Sequence, residues 1–286
     1  MMFSPAPIRR ILVVVKVHPR ADRPASKSPL ARRDRRRIRQ ARLAHEAALR
    51  RVLERLRKSA VPFRVIRRVR RRVLHGFDLI ISVGGDGTFL EAARGVRNQP
   101  ILGVNSNPTR SAGSFCAATS FSFDRVLGQI LRGGARVVRL NRLQPVLNRR
   151  PMDLPILNDV LITHRRPAAM SRYGLQIGRR LEEQRSSGLW IATAAGSTGA
   201  IRSAGAAILP RTSRDLLYQP RELYAADRNG NRLTGGRIPA DAPIQISCLM
   251  REGLLCVDGE HVTLPFRYGD LLELRVFAHP LRLVAG

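Results

Sequence analysis

Lysine is nearly absent from this chain. Of its 51 basic residues only Lys16, Lys27 and Lys58 are lysines, leaving 51 − 3 = 48 arginines against 21 acids in 286 residues. A formal charge of +30 by itself suggests a polyanionic partner. The arginines are spread over the whole chain, however, and aromatic residues make up only 5% of it, with none interleaved among the basic runs for stacking on bases. A genome-wide preference for Arg over Lys gives the same count. No specific nucleic acid is therefore expected as a partner, only weak nonspecific binding at low salt. Cysteine is scarce too: Cys116, Cys248 and Cys256 are odd in number and widely spaced, without a C-x-x-C pair. That argues against a disulfide framework and a zinc site, and for a reducing cytoplasm with each cysteine a small buried hydrophobe. No apolar run approaches the ~18 residues of a membrane span, so no membrane partner is expected. The ten or so residues ahead of Ile11 fit neither a signal peptide nor a transit peptide. At 44% hydrophobic and 25% charged, the chain reads as soluble and globular, long enough for two modest domains.

Residues 8–17, I-R-R-I-L-V-V-V-K-V, form a β-branched run that predicts a buried first strand, followed by a polar, Pro-containing loop. From about Arg32 to Lys58 the pattern is helical, with Leu49, Val52, Leu53 and Leu56 on one face and arginines on the other. The Arg run at 35–37 then reads as a solvated helix face. Val61, Phe63 and Val65 predict a second strand, 77–83 a third, 88–97 a helix and 100–104 a fourth strand. This alternation is that of a parallel sheet covered by helices, with ligands held at the strand ends. Beyond about Arg136, short apolar stretches at 137–140, 160–163, 244–249, 254–257 and 271–277 are separated by Gly, Pro, Asn and Asp. They predict a β-rich, mostly antiparallel second domain.

The common nucleotide signatures G-x-x-x-x-G-K-[ST] and G-x-G-x-x-G are also missing. In their place the third strand runs into G-G-D-G-T, Gly84, Gly85, Asp86, Gly87 and Thr88. A strand that turns through glycines into a helix presents main-chain N–H groups that suit a phosphate, and an Asp there would repel one. The Asp needs a reason of its own. Further along stand Asn158-Asp159 and then G-S-T-G-A at 196–200, with Ser203 close behind.

As an ordered set these stretches resemble the NAD kinase family: F-D-L-I-I-S-V-G-G-D-G-T-F-L at 77–90, I-L-G-V-N-S at 101–106, L-N-D-V-L-I at 157–162 and S-G-L-W-I-A-T-A-A-G-S-T-G-A-I-R-S-A-G at 187–205. V-D-G-E at 257–260 falls where that family carries a similar turn. The resemblance runs over most of the chain from Ile11 onward. It implies an α/β domain with a Rossmann-like parallel sheet over 1–138, a β-rich dinucleotide-binding domain over 139–268 and a segment, 269–286, that returns to the first domain. Lipid kinases share G-G-D-G-T, but there an Asn-Glu pair follows almost directly; here Asn158-Asp159 lies about seventy residues beyond Thr88, as in NAD kinases. Phosphorylation of diacylglycerol or sphingosine stays as the alternative enzyme activity. An Arg-rich nucleic-acid-binding protein on a degenerate kinase fold is the alternative from another class.

The chemistry implied is transfer of a phosphoryl group from ATP or polyphosphate, with Mg²⁺ or another divalent ion carried largely by the donor phosphates, to the 2′-hydroxyl of the adenosine ribose of NAD(H). Asp86 would be the catalytic residue. A carboxylate is a far weaker base than an alkoxide, but in a loose transition state the proton leaves late, so orientation suffices. Gly84, Gly85 and Gly87 would let phosphates approach the main chain, and Thr88 and Asn105 would belong to the same substrate- and nucleotide-binding set. Asn158 and Asp159 match the family's Asn-Glu pair at the substrate nucleoside, with Asp one methylene shorter. Arg185, Ser187, Thr198, Gly199 and Ser203 match positions around the dinucleotide, although a solvated surface explains Arg185 equally well. Ala200 replaces a family Tyr and so removes an aromatic contact. S-S-G-L at 186–189 and G-V-N-S-N-P-T-R-S-A-G at 103–113 look like the branch that includes the mitochondrial NAD kinases of animals. The resemblance also implies a homo-oligomer, at least a dimer.

Overall fold

The run Ile11–Val15 is a strand, β1, with every side chain buried. The computed structural model describes residues 7–17, 29–67, 69, 74–224, 226, 230–260 and 262–285; the expected loop after β1 lies mostly outside them. The chain divides into two units, one of residues 1–138 with 281–286 and one of residues 139–280.

In the first unit β1 is followed by α1 (Pro29–Lys58), β2 (Phe63–Ile66), β3 (Leu79–Gly84), α2 (Asp86–Gly95), β4 (Pro100–Asn105), β5 (Cys116–Thr119), α3 (Phe123–Leu131) and β6 (Val137–Leu140). Its sheet runs β2-β1-β3-β4, then a strand from residues 281–284, then β6, with β5 also on β4. The β2-β1-β3-β4 pairs are parallel, with Ile11 opposite Phe63 on one side and Leu79 on the other. Alternate residues of β1 serve the two faces: Ile11, Val13 and Val15 join Val52 and Leu56 of α1 and Phe123, Val126 and Leu127 of α3 in one core. Each such fully buried aliphatic contributes about 1.5–3 kcal/mol. Arg36 and Arg37 are exposed on α1, as a solvated face requires. Among the described residues no helix is long and apolar enough to cross a membrane.

The second unit contains β7 (Leu143–Leu147), β8 (Arg150–Pro151), β9 (Asp159–His164), β10 (Ser171–Ile177), β11 (Arg180–Ser186), β12 (Leu189–Thr193), α4 (Ala200–Ser203), β13 (Leu216–Pro220), β14 (Gly236–Ile238), β15 (Ile244–Cys248), β16 (Gly253–Val257), β17 (Val262–Phe266) and β18 (Leu271–Val276). They form two six-stranded sheets, β11-β10-β15-β18-β7-β8 and β14-β13-β12-β9-β16-β17. The two share one core, in which Tyr173, Leu175 and Ile246 of the first meet Val160, Ile191 and Leu255 of the second. A pair of antiparallel sheets, each with one face inward, explains the short alternating runs of the sequence.

The segment 269–286 does not leave the second unit as a whole. β18 pairs with β7 and β15, and only β19 (Leu281–Val284) pairs with β4. The run 137–140, grouped by its texture with the second domain, is β6 of the first unit's sheet.

Candidate active site

β3 ends at Gly84, where a Cβ would collide with the side chain of Thr88; glycine lets the strand turn directly into α2. Gly85 caps the helix in an extended conformation, and a Cβ on it would stand 2.7 Å from Ser111 Oγ. Asp86 is consequently the first residue of α2, two residues before the expected start. Its carboxylate is aimed by main chain from the β4–β5 loop: the Ser114 N–H donates to Oδ2 at 2.9 Å and the Phe115 N–H to Oδ1 at 2.9 Å. Each oxygen keeps a second lone pair. The rings of Phe89 and Phe115 stack beside this contact, 5.1 Å apart and 7° from parallel.

Gly87 is exposed, and a Cβ there would meet no protein atom within 4 Å, so packing does not explain its lack of a side chain. Thr88, expected among the ligand contacts, turns inward against Gly84 and is 8% exposed. Asn105 is buried as well: its Nδ2 donates to Ser111 O at 2.9 Å and its Oδ1 accepts the Asn107 N–H at 3.0 Å. It shapes the loop that carries the two donors to Asp86. Ser106 joins that loop to the turn through its N–H, donated to Gly84 O at 3.0 Å, and its hydroxyl pairs with buried His45 Nδ1 at 2.9 Å. Arg110 donates to Arg37 O at 3.2 Å on the exposed surface. Cys116 follows on β5; burial, and then the charge of Asp86, push its thiol up to about 12, which leaves it unreactive.

A second cluster forms in the other unit where β9 begins. The G-S-T-G turn after β12 lies against it: a Cβ on Gly196 would strike Asn158 O, and one on Gly199 would stand 2.9 Å from Asn158 Nδ2 and 3.6 Å from Asp159 Oδ2. Thr193 holds the same segment, its N–H donating to Asn158 O at 3.0 Å and its hydroxyl to Leu157 O at 2.5 Å. Asn158 is half-buried and donates from Nδ2 to Asp159 Oδ2 at 3.4 Å. Asp159 is 2% exposed; burial first, and the charge of Asp258 second, push its carboxyl up to about 7.

The structure thus brings Asn158, Asp159 and Gly199 together, with Thr198 exposed beside them and Ser203 exposed on α4, which opens at exposed Ala200. Ser187 and Arg185 are placed apart from this group. Asp159 pairs with Ala192 and Ile162 with Leu189, and Ser187 lies beyond Leu189, so more than about 10 Å of strand separates it from Asp159. Arg185 lays its guanidinium over the ring of Tyr224, 4.5 Å from its centre. A depression of ≈ 690 Å³ lined by Ile177, Arg179, Arg180, Leu181 and Leu233 contains none of the expected residues.

Over 233 residues the chain is 35% identical to a probable NADH kinase of Oryza sativa subsp. japonica, covering 74% of this chain and 72% of the relative. The chain belongs to the NAD kinase family. The family model described as ATP-NAD kinase N-terminal domain matches residues 25–131, and an NADH kinase of Arabidopsis thaliana is 34% identical over 230 residues, 69% of each chain. Among solved structures, yeast NADH kinase complexed with NADH superposes with a TM-score of 0.75 at 16% identity, covering 98% of this chain and 84% of that one. An Archaeoglobus fulgidus NAD kinase in complex with ATP gives 0.71 at 20%, covering 96% and 93%. These two likenesses extend the NAD kinase fold over both units.

Residue patterns did not single out the Ser114 and Phe115 amides, Ser111, Thr193 or Asp258. Only Asp258 left a signal, the V-D-G-E turn at 257–260.

Proposed function

We propose that this chain is an NAD(H) kinase that transfers the terminal phosphoryl group of ATP to the 2′-hydroxyl of the adenosine ribose, giving NADP(H) and ADP. The observation that carries the reading is the aim of the Asp86 carboxylate, held by two main-chain N–H groups at the end of a buried strand, in a chain whose relatives at 34–35% identity are named as NADH kinases. The ribose oxygen attacks the terminal phosphorus, the bond to the bridging oxygen of ADP breaks, and the hydroxyl proton passes to Asp86 late in the step. Because Asp86 is positioned in advance, it orients the hydroxyl without first having to remove its proton.

Gly85 and Gly87 let phosphates approach the main chain, and Asn158 and Asp159 hold the nucleoside. Thr198, Gly199 and Ser203 belong to the same dinucleotide region on this reading, with Arg185 and Ser187 further along the ligand. A divalent ion such as Mg²⁺, carried on the donor phosphates, would supply the positive charge that offsets the repulsion between the donor and Asp86. Among the described residues no three acidic, His or Cys side chains gather into a metal cage. No observation favours lipid phosphorylation or nucleic-acid binding over this reading.

The test is incubation of the purified protein with NAD or NADH, ATP and Mg²⁺, reading NADP(H) with a coupled dehydrogenase. No product above background with ATP or with polyphosphate refutes the reading. The same assay with polyphosphate alone settles whether it is a second donor. We further propose at least a dimer, to be checked by light scattering, and a cytoplasmic setting suited to the free thiols of Cys116, Cys248 and Cys256.

A further inference from the structure

We infer that Asp258 is a positioning residue for the acceptor: its carboxylate takes the main-chain N–H groups of Leu157, Asn158 and Asp159 and so sets the direction in which the Asn158 and Asp159 side chains leave the chain. This rests on the reading of that pair as nucleoside contacts. The three bonds are Leu157 N–H to Oδ2 at 3.2 Å, Asn158 N–H to Oδ1 at 2.7 Å and Asp159 N–H to Oδ1 at 3.3 Å. A fourth returns, from the Asp258 N–H to Asp159 O at 2.9 Å. Thr193 meanwhile takes the carbonyl side of the same segment. With N–H groups fixed from one direction and carbonyls from the other, the main chain of 157–159 has little freedom left, and an Asn side chain aimed by it is pre-organised for a ligand.

Asp258 occupies the turn between β16 and β17 with φ 48, a left-handed conformation that Asp tolerates better than most residues. It is 4% exposed. A neutral acceptor would serve folding alone better, because a buried carboxylate must be desolvated and here it faces a second one, Asp159, whose ionisation it opposes. What a charge adds is strength: hydrogen bonds to a carboxylate are about twice as strong as neutral ones, and three converge on this one.

The decisive experiment measures steady-state kinetics of Asp258→Asn with NAD(H) and ATP varied separately, beside the wild type. Asn is at ease at this φ and keeps one acceptor oxygen, but it loses the charge and turns an amide toward a donor. The expected result is a rise of about tenfold in KM for the dinucleotide, with KM for ATP within about twofold. An unchanged dinucleotide KM, or a fall in kcat with both KM values unchanged, overturns the inference in favour of a merely structural Asp258. A wild type that makes no NADP(H) overturns the kinase reading instead. Should the variant fail to fold, amide hydrogen exchange on the ligand-free wild type decides: slow exchange at 157–159 is expected of a preformed clamp, and exchange as fast as in an open loop overturns it.

Discussion

Phe115 donates its main-chain N–H to Oδ1 of Asp86 at 2.9 Å while its ring stacks on Phe89, three residues further along the helix that Asp86 begins. The carboxylate is thereby fixed from a loop that returns to the turn after the whole of α2 and β4. An orienting role for Asp86 needs this kind of rigidity, since a freely rotating carboxylate would lose most of the advantage of proximity.

Asp86→Asn tests that role. The amide fits the same space and keeps one acceptor for one of the two N–H groups, so the fold should survive with a small drop in melting temperature. Turnover of NAD should fall by roughly 10²–10⁴-fold, the usual range for losing a positioned proton acceptor. A variant with near wild-type turnover would remove Asp86 from the chemistry.

Gly87→Ala separates packing from ligand approach. A methyl there has open space, and within the first turn of a helix Ala replaces Gly with a gain of about 0.5–1 kcal/mol. The melting temperature should therefore hold or rise, while kcat/KM for ATP drops by about tenfold or more as the methyl blocks a phosphate. Unchanged ATP kinetics would show that the donor does not pass close to this residue.

Asp159 predicts a pH dependence of stability. Its folded value of about 7 lies above the ordinary 3.8, so the native state binds more protons than the unfolded chain between those limits. The stability tied to the protonated carboxyl is complete below about 4 and is lost as pH rises through about 7. Asp159→Asn, neutral throughout, should show a flatter melting temperature from pH 5 to pH 8 than the wild type. Parallel curves for the two proteins would contradict the assignment.

How much of this was legible depended on the range over which each feature is determined. β1, β3 and β4 could be read because each is a short apolar run buried on both faces, and α1 because Leu49, Val52, Leu53 and Leu56 repeat at helical spacing. The hairpin of β10 and β11 was missed: R-L-E-E-Q-R-S at 180–186 forms an outer strand in which Arg180 and Glu183 face solvent while Glu182 turns to the main-chain N–H groups of Arg232 and Leu233, so its sequence resembles a polar loop. The sheet membership of β6 depends on a neighbour that arrives more than a hundred residues later, and no local pattern announces it. At the sites, the acid Asp86 and the pair Asn158-Asp159 were visible as motif residues. Their restraints were not, because the N–H groups of Ser114 and Phe115 carry no side-chain signature, and Asp258 meets Asn158 from 100 residues away.

β19 has a bearing on how this protein must be made. It lies between β4 and β6 in a sheet whose other strands all come from the first 140 residues, so during translation β4 and β6 stay unjoined until residues 281–284 have cleared the ribosome. β5 covers β4 only from Gly103 onward, so a nascent chain holding only the earlier strands leaves Pro100 and Ile101 of β4 without their partner and the facing edge of β6 ready to pair with a neighbour. Removing those few residues would leave the same gap in the finished molecule.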